Sequence, residues 1–284
     1  IIAKTLKGKG VRVMENKEGW HGRVLTTVQM RQALEDLGPS KKIHGTVAKP
    51  KLWKSVTLLP KKNKPRTLPV TELISPRQAF GQAVLRAATK IPSLVVFDAE
   101  VKNSTFTEYM ADAYPSRFFQ NYIAEQHMVS AATGMASRGL LPVTATFAAF
   151  FTRAFDQLRM AHYAGYHQVF AGTHAGVSIG QDGPSQMGLE DISMFRNLGA
   201  TILYPADAWA AERLTNLALQ GSGLAYLRLT RQALPPLYTK RTVFSFGGSH
   251  TLRSSTKDRA TIVAAGVTVA EALKATEILA QQKI

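Results

Sequence analysis

Residues 141–171 read LPVTATFAAFFTRAFDQLRMAHYAGYHQVFA, and their apolar positions change from a strand-like run to helical spacing and back. The pattern predicts strands at 141–146 and 168–171, with a helix at 150–163 between them. Two short apolar strands joined by a helix are typical of a parallel sheet whose two faces are both covered. This segment therefore predicts an α/β fold.

The same alternation extends on both sides of this segment. Ser75 followed by Pro76 is typical of a helix start and opens a predicted helix that runs to about residue 90. The other strands are predicted at 93–97, 201–204 and 224–229, and the other helices at 125–137, 189–197 and 208–220. Together they predict a doubly wound parallel sheet, in which ligands bind in the loops that follow the strands.

The two ends of the chain lie outside this alternation. Residues 1–5 are predicted as a strand and 28–37 as a short helix, while a strand at 260–265 and a helix at 269–279 close the chain. The chain has no initiator methionine and stops one strand and one helix into a new unit. We therefore expect both ends to be cuts in a longer polypeptide.

The composition of the 284 residues is that of an ordinary globular protein, with 45% hydrophobic and 19% charged residues. The absence of cysteine excludes disulfide scaffolds and cysteine nucleophiles. No apolar run reaches the roughly 18 residues that a membrane helix needs, so a membrane is not an expected partner. The unusual feature is a net charge of +16, from 35 Lys and Arg against 19 Asp and Glu.

Much of this positive charge lies between residues 41 and 66, where nine Lys and Arg residues occur without any Asp or Glu. Three prolines and the lack of any periodicity indicate an extended linker. A polyanion-binding strap is the alternative to a solvated connector. Trp53 is the one aromatic residue here that could stack on a base, so we favour the connector and do not expect nucleic acid as a partner.

Four segments at strand–helix junctions contain residues that could carry chemistry. Glu125 opens a helix, three phenylalanines lie within 146–153, a glycine-rich loop spans 172–186, and Arg231 follows the last strand of the alternation. Each has a simpler interpretation: a helix-start carboxylate, core aromatics, a surface loop and a weak anion site. The loop also contains GVSIG at 176–180, which matches the serine-hydrolase elbow G-x-S-x-G. The residues after Ser178 cannot continue a helix, so a hydrolase is not favoured.

Three of these stretches resemble the pyrimidine-binding domain of transketolases: IAEQ at 123–126, TFAAFFTRAFDQ at 146–157 and GQDGPSQ at 180–186. The resemblance extends to KNSTF at 102–106, IAKTLKG at 2–8 and WHG at 20–22, and it covers almost the whole chain apart from the linker. It is greater to animal-type transketolases than to deoxyxylulose-phosphate synthases.

The resemblance implies a thiamine-diphosphate-binding pyrimidine domain at 72–238 with partial flanking domains. Residues 1–40 would be the end of the diphosphate-binding domain, 41–71 the basic linker, and 239–284 the start of the C-terminal domain. The implied activity is transfer of a two-carbon ketol unit from a ketose phosphate to an aldose phosphate in the cytoplasmic pentose phosphate pathway. Because the family site lies at a homodimer interface, we expect a second subunit as partner, and this chain alone to be inactive.

The resemblance also implies residue roles. Glu125 would be the carboxyl group that promotes the imino tautomer of the aminopyrimidine, and a buried helix start suits a carboxyl that must share a proton. His21 would reach the cofactor and donor from the neighbouring domain. The implied cofactor contacts are Lys7, Phe147, Phe150 and Gln186, with Phe150 stacking on the pyrimidine. The implied substrate contacts are Arg77, Ser104, His174, Asp182 and Arg231, which combine cations with hydrogen-bonding groups.

The chain departs from the family pattern in three places. Gln181 replaces the usual acid before Asp182, residues 229–233 differ around the substrate arginine, and the Gly-Asp-Gly motif does not occur. Because that motif binds the diphosphate and its Mg²⁺ or Ca²⁺ in the family, no metal ligands are expected in this chain. Two alternatives to the enzyme remain: a non-catalytic or regulatory paralogue, and a polyanion-binding module.

Overall fold

A computed structural model of the chain describes residues 4–20, 23–39 and 73–282. The chain divides into two compact units, Ile1–Lys51 and Leu52–Ile284. The first unit contains helix α1 (Thr27–Leu37), whose capping box joins Thr26 and Gln29 in both directions. This confirms the helix predicted at 28–37. Of the strand predicted at 1–5, residues 4 and 5 have no regular structure and the others lie outside the described residues, as does the predicted linker at 41–66.

The second unit is built on a six-stranded sheet in which all strands are parallel. The strands are β1 (Leu94–Asp98), β2 (Phe118–Gln120), β3 (Leu141–Phe147), β4 (Gln168–Thr173), β5 (Thr201–Leu203) and β6 (Leu224–Arg228). Their order across the sheet is β2-β1-β3-β4-β6-β5, and every residue of β1, β4 and β6 is buried. The predicted α/β fold with a doubly wound parallel sheet is thereby confirmed.

Helices cover both faces of this sheet. They are α2 (Pro76–Ala88), α3 (Lys102–Thr105), α4 (Glu108–Ala113), α5 (Glu125–Ala136), α6 (Phe155–Ala164), α7 (Asp191–Asn197) and α8 (Ala208–Gln220). A further helix, α9 (Thr268–Gln281), follows β6 in the sequence. Alternate strand residues point to opposite faces, so Val96 of β1 joins the core under α2 and α8, while Phe97 joins the core under α5, α6 and α7. Among the described residues, every helix is too short or too polar to span a bilayer.

Three features of the fold differ from the prediction. Residues 260–265 form no strand, because no strand in the described part of the chain pairs with their backbone. Val263 in this segment is 92% exposed. The helix predicted at 150–163 begins instead as a 3₁₀ helix, Ala148–Ala154, before α6. Edge strand β2 and the short helices α3 and α4 were not predicted, because no residue of β2 is fully buried and the two helices, of four and six residues, are too short to show a helical period.

Candidate functional site

The candidate site lies at the edge of the sheet where the parallel strands end. Ser104 lies in α3 after β1, Phe147 is the last residue of β3, His174 follows β4, and Arg231 follows β6. The long loop after β4 carries Asp182 and Gln186, and Arg77 lies in the first turn of α2. Parallel strands put these loops at one edge of the sheet, so residues that are distant in sequence become neighbours.

Arg77 links the loop after β1 to the loop after β6. Its Nη1 donates to the carbonyl oxygen of Ser104 at 2.7 Å, and its Nε donates to the carbonyl oxygen of Arg231 at 3.2 Å. The guanidinium also lies over the ring of Phe106, 5.1 Å from its centroid. Burial lowers the pKa of Arg77, the positive charge of Arg231 lowers it further, and the carboxylate of Asp182 opposes both. The two arginines therefore repel each other within one partly buried site.

Arg231 holds the loop after β4. Its Nη1 lies 3.3 Å from Oδ2 of Asp182, donates at 3.3 Å to Oε1 of Gln181, and also donates to the carbonyl oxygen of Ile179. The side chains of Arg231 and Asp182 remain 27% and 33% exposed, so a ligand can reach both. We call Arg77, His174, Asp182 and Arg231 the arginine cluster.

His174 contributes a neutral ring to the arginine cluster. The residue is 2% exposed, and its ring stacks on Phe147 with centroids 3.8 Å apart. Its Nδ1 lies 3.0 Å from Oγ1 of Thr173. Burial lowers the pKa of His174 to about 4, and the charges of Arg77 and Arg231 act in the same direction against Asp182. At neutral pH the ring can therefore donate or accept a hydrogen bond but adds no positive charge.

A flat aromatic surface adjoins the arginine cluster. Phe147 stacks between His174 and Phe150, and the centroids of the two phenylalanine rings are 5.0 Å apart with an interplanar angle of 13°. Phe150 is only half-buried, whereas Phe151 is fully buried and packs edge-to-face against Phe170. The core interpretation thus holds for Phe151, while Phe150 presents a ring on which a flat ligand could stack.

Glu125 is a buried carboxylate at the start of α5, with 3% exposure. Its Oε2 accepts a hydrogen bond at 3.0 Å from Nη1 of Arg153, which also donates to the carbonyl oxygen of Ile123. Arg153 belongs to the 3₁₀ helix Ala148–Ala154 that carries Phe150, and α5 packs against that helix. The ion pair therefore ties the buried carboxylate to the element that carries the aromatic surface.

Gln186 lies in the short 3₁₀ helix Pro184–Gln186, which packs against Ala148–Ala154. Its amide oxygen accepts a hydrogen bond from the hydroxyl of Ser185. The close approach of the two segments depends on Gly188, because a Cβ there would lie 2.4 Å from the Cβ of Ala148. Gln186 thereby lies on a segment packed against the 3₁₀ helix that carries Phe150, and its cofactor contact stays a prediction.

Two predicted site residues belong to the first unit. Lys7 is an exposed residue of the first unit, and His21 lies outside the described residues. Ser104 takes part through its backbone, since its carbonyl oxygen is the acceptor for Arg77. Within residues 4–20, 23–39 and 73–282, no three or more His, Asp or Glu side chains are placed to bind a metal ion.

Sequence reasoning missed Asp98, which organises the segment that carries Ser104. Asp98 is fully buried at the end of β1; its Oδ1 accepts from the backbone of Val101 at 2.7 Å, and its Oδ2 accepts from the hydroxyls of Thr105 and Thr107. Burial raises the pKa of Asp98, and these hydrogen bonds act against that rise. The sequence did contain a signal for this residue, because Asp98 directly follows the predicted apolar strand at 93–97, where a carboxylate needs hydrogen-bond partners.

A second buried network was also missed. Oδ2 of Asp191 accepts hydrogen bonds from the hydroxyl of Tyr226 at 2.7 Å and from Nε of Arg228 at 2.9 Å. Arg228 in turn donates to the carbonyl oxygen of Gly188 at 3.0 Å, which fixes the far end of the loop after β4. The Arg228 guanidinium and Oδ2 of Asp191 bind each other, Tyr226 and the backbone, while Oδ1 of Asp191 is buried without a hydrogen-bond partner among the described residues. The network is buried, so it supports the site without forming part of its surface.

Residues 72–236 match the family model described as "Transketolase, pyrimidine binding domain". The chain belongs to the transketolase family. Human transketolase is 40% identical over 296 aligned residues, which cover 100% of this chain and 46% of the human protein. Mouse transketolase-like protein 2 is 39% identical over 299 residues, with the same coverage. The chain therefore spans about half the length of these curated relatives.

A solved structure described as "Split gene transketolase, inactive beta4 tetramer" superposes with a TM-score of 0.67 at 34% sequence identity. The match covers 75% of this chain and 70% of that chain. The transketolase resemblance stated from the sequence is thus confirmed for the family and the fold. Membership of this family implies dependence on thiamine diphosphate. The partly exposed Phe150 ring fits its flat pyrimidine, and Arg153 of the same 3₁₀ helix pairs with the buried carboxylate of Glu125.

Proposed function

We propose that this chain supplies the aminopyrimidine and substrate half of a transketolase site, which moves a two-carbon ketol unit from a ketose phosphate to an aldose phosphate. The observation that carries the proposal is the grouping at one sheet edge of three features in a transketolase-family fold. These features are the buried carboxylate of Glu125, the partly exposed ring of Phe150 and the Arg77–Arg231 pair. Each corresponds to one chemical requirement of ketol transfer.

In this proposal Glu125 handles a proton at the aminopyrimidine. Thiamine diphosphate, when bound, supplies a carbon that becomes nucleophilic once its proton is removed. The carboxyl of Glu125 is held away from water at 3% exposure, so a hydrogen bond to the ring nitrogen would be strong. Phe150 would stack on the pyrimidine, Phe147 would fix the angle of Phe150, and Gln186 would contact the ring edge.

The arginine cluster would receive the phosphate of the sugar. Arg77 donates to backbone carbonyl oxygens and, in the described part of the chain, forms no ion pair, so its charge is available to an anion. A phosphate between Arg77 and Arg231 would relieve the repulsion that lowers the pKa of Arg77. The neutral ring of His174 would donate a hydrogen bond to the phosphate, and Asp182 would accept one from a sugar hydroxyl. Ser104 would be a further contact at the phosphate end of the substrate.

The remaining parts of the site are assigned by the family resemblance. We propose that Lys7 and His21 contact the cofactor from the 1–40 region, and that a second subunit faces the 72–238 domain across a dimer interface. Residues 41–71 would connect these regions, and 239–284 would begin the C-terminal domain. The diphosphate and a divalent ion, Mg²⁺ or Ca²⁺, would be held outside the pyrimidine domain, and the enzyme would work in the cytoplasm.

The substitution Glu125→Gln in the assembled enzyme tests the proposal. The amide keeps the shape and can still accept a hydrogen bond from Arg153, but it cannot take up a proton. We expect kcat for ketol transfer to fall by about a hundredfold or more. Glu271→Gln is the matched control, because Glu271 also lies in a first helical turn and pairs with Lys274 at 2.9 Å. Unchanged ketol transfer in Glu125→Gln would refute the mechanism.

The same assay separates the enzyme from a non-catalytic or regulatory paralogue. Identity to a transketolase and to a transketolase-like protein is nearly equal, so similarity does not distinguish them. An assembled wild-type protein that binds thiamine diphosphate but transfers no ketol unit would establish the paralogue. Turnover that depends on Glu125 would establish the enzyme.

A further inference from the structure

Gln181 lies beside the arginine cluster and has no role in the function proposed above. Its amide oxygen Oε1 is 3.3 Å from Nη1 of Arg231, the same nitrogen that lies 3.3 Å from Oδ2 of Asp182. The two neighbouring side chains, one neutral and one charged, thus share one guanidinium group. Gln181 is itself exposed, so its side chain can respond to a ligand.

The charge balance of this site depends on which residue stands at position 181. Two guanidinium groups, Arg77 and Arg231, face one carboxylate, Asp182, which leaves a surplus of one positive charge. The ring of His174 adds none at neutral pH, since its pKa lies at about 4. A carboxylate at position 181 would cancel the surplus, whereas the amide of Gln181 contacts Arg231 and leaves the surplus intact.

We propose that Gln181 is a specificity-determining residue, which keeps the arginine cluster positively charged and so favours sugars that carry a phosphate over the same sugars without one. A dianionic phosphate gains from each uncompensated cation at a partly buried site, and an uncharged hydroxyl does not. The identity of the ligand rests on the proposed transketolase function. The electrostatic role of Gln181 rests on its contact with Arg231 and on the charge balance of the arginine cluster.

The test compares two variants. Gln181→Glu keeps the shape of the side chain and adds a negative charge, whereas Gln181→Ala removes the contact with Arg231 and adds no charge. Inorganic phosphate is titrated into the full chain, and its dissociation constant is measured by calorimetry at low ionic strength. We expect Gln181→Glu to weaken phosphate binding by about tenfold and Gln181→Ala by less than about threefold, with the Gln181→Glu effect shrinking as salt is added.

A second measurement uses the assembled enzyme with a phosphorylated ketose and with its unphosphorylated counterpart. In Gln181→Glu we expect KM to rise by about tenfold for the phosphorylated ketose only, with kcat unchanged for both. Gln220→Glu is the control, because Gln220 is exposed at the end of α8, at the opposite edge of the sheet, and gains the same charge. It should change neither phosphate binding nor KM.

The outcomes separate this proposal from the one on which it rests. If the assembled protein shows no turnover, the proposed ketol-transfer function is refuted. The phosphate titration would still decide the role of Gln181. Equal phosphate affinity in wild type and Gln181→Glu would overturn the electrostatic role. So would an equal loss in Gln181→Ala and Gln181→Glu, which would mean that the contact matters and the charge does not. A KM increase of the same size for both ketoses would overturn the specificity role.

Discussion

His174 is held directly after β4 in a left-handed backbone conformation, with φ of +57°, and its ring is pressed against Phe147. The residue is 2% exposed, and burial together with two nearby guanidinium groups disfavours a positive charge on the ring. A histidine at an anion site is commonly taken as a cation, but the surroundings of this one make it a neutral donor or acceptor. Its protonation therefore depends on its neighbours rather than on its residue type.

Replacing His174 should remove part of the acid sensitivity of the fold. The pKa of His174 falls from 6.5 to about 4 on folding, so the unfolded chain binds the proton more tightly. The stability from neutral His174 is complete above about pH 6.5 and is lost as the pH falls toward 4. Between pH 7 and pH 5 this loss is about 2 kcal/mol. The variant His174→Asn should lack it, since asparagine does not titrate and tolerates a positive φ.

The measurement is the free energy of unfolding in urea at pH 7 and pH 5 for both proteins. His174→Asn should be less stable at pH 7, because it loses the ring contact with Phe147. The decisive quantity is the difference between the two pH values, which should be about 2 kcal/mol smaller in the variant. Identical differences in the two proteins would show that His174 is not held neutral by the fold.

At the scale of elements, helix α2 is positioned by how closely it approaches the segment that follows β1. A Cβ at Gly81 would lie 2.4 Å from the carbonyl oxygen of Phe106 and 2.7 Å from its Cβ. The same α2 carries Arg77, whose guanidinium binds the carbonyl oxygen of Ser104 in this segment. Gly81 therefore lets α2 come close enough for Arg77 to reach the site.

Two helical glycines should respond in opposite directions to substitution by alanine. Gly81→Ala should destabilise the fold by about 2 kcal/mol or more, because a backbone oxygen must move to make room. Gly134 lies exposed in α5 with no atom within 4 Å of an added Cβ, so Gly134→Ala should stabilise the fold by about 0.5–1 kcal/mol. Urea unfolding at pH 7 measures both values. A stabilising Gly81→Ala would contradict the close contact.

The apolar pattern of the sequence predicted every strand of the sheet except β2, including the short edge strand β5. Helix α8 agrees with its predicted bounds, and β3 and β4 differ from theirs only by extensions at the carboxyl ends. The strand at 260–265 was wrong because an apolar run defines a strand only when a neighbouring strand can pair with its backbone. The same reasoning placed the candidate residues in loops after strands, but it could not determine which side chains make contact there.

At the scale of the whole molecule, the second unit contains the sheet and the arginine cluster, while Lys7 belongs to the first. In the proposed function this chain binds the pyrimidine ring and the substrate, while another domain binds the diphosphate and the metal ion. The net charge of +16 is largely separate from this function, since nine of the basic residues lie between 41 and 66. The proposed ligands are small phosphates rather than a polyanion.

The full chain on its own should therefore catalyse no ketol transfer. Added thiamine diphosphate and Mg²⁺ should not restore it, because the pyrimidine contacts alone do not hold the diphosphate. A coupled assay with a ketose phosphate and an aldose phosphate measures ketol transfer. Turnover above background would show that this chain contains a complete site.

The sequence by itself determined the α/β class, the alternation of strands and helices, and the sheet edge at which the site would lie. Periodicity and the strand-end rule are local properties, so they can be read without knowing which residues meet. Only the tertiary structure decided the neutral state of His174, the buried role of Asp98 and the contact of Gln181 with Arg231. These depend on burial and on charges brought together from distant positions, as in the hydrogen bond between Arg77 and Arg231, 154 residues apart.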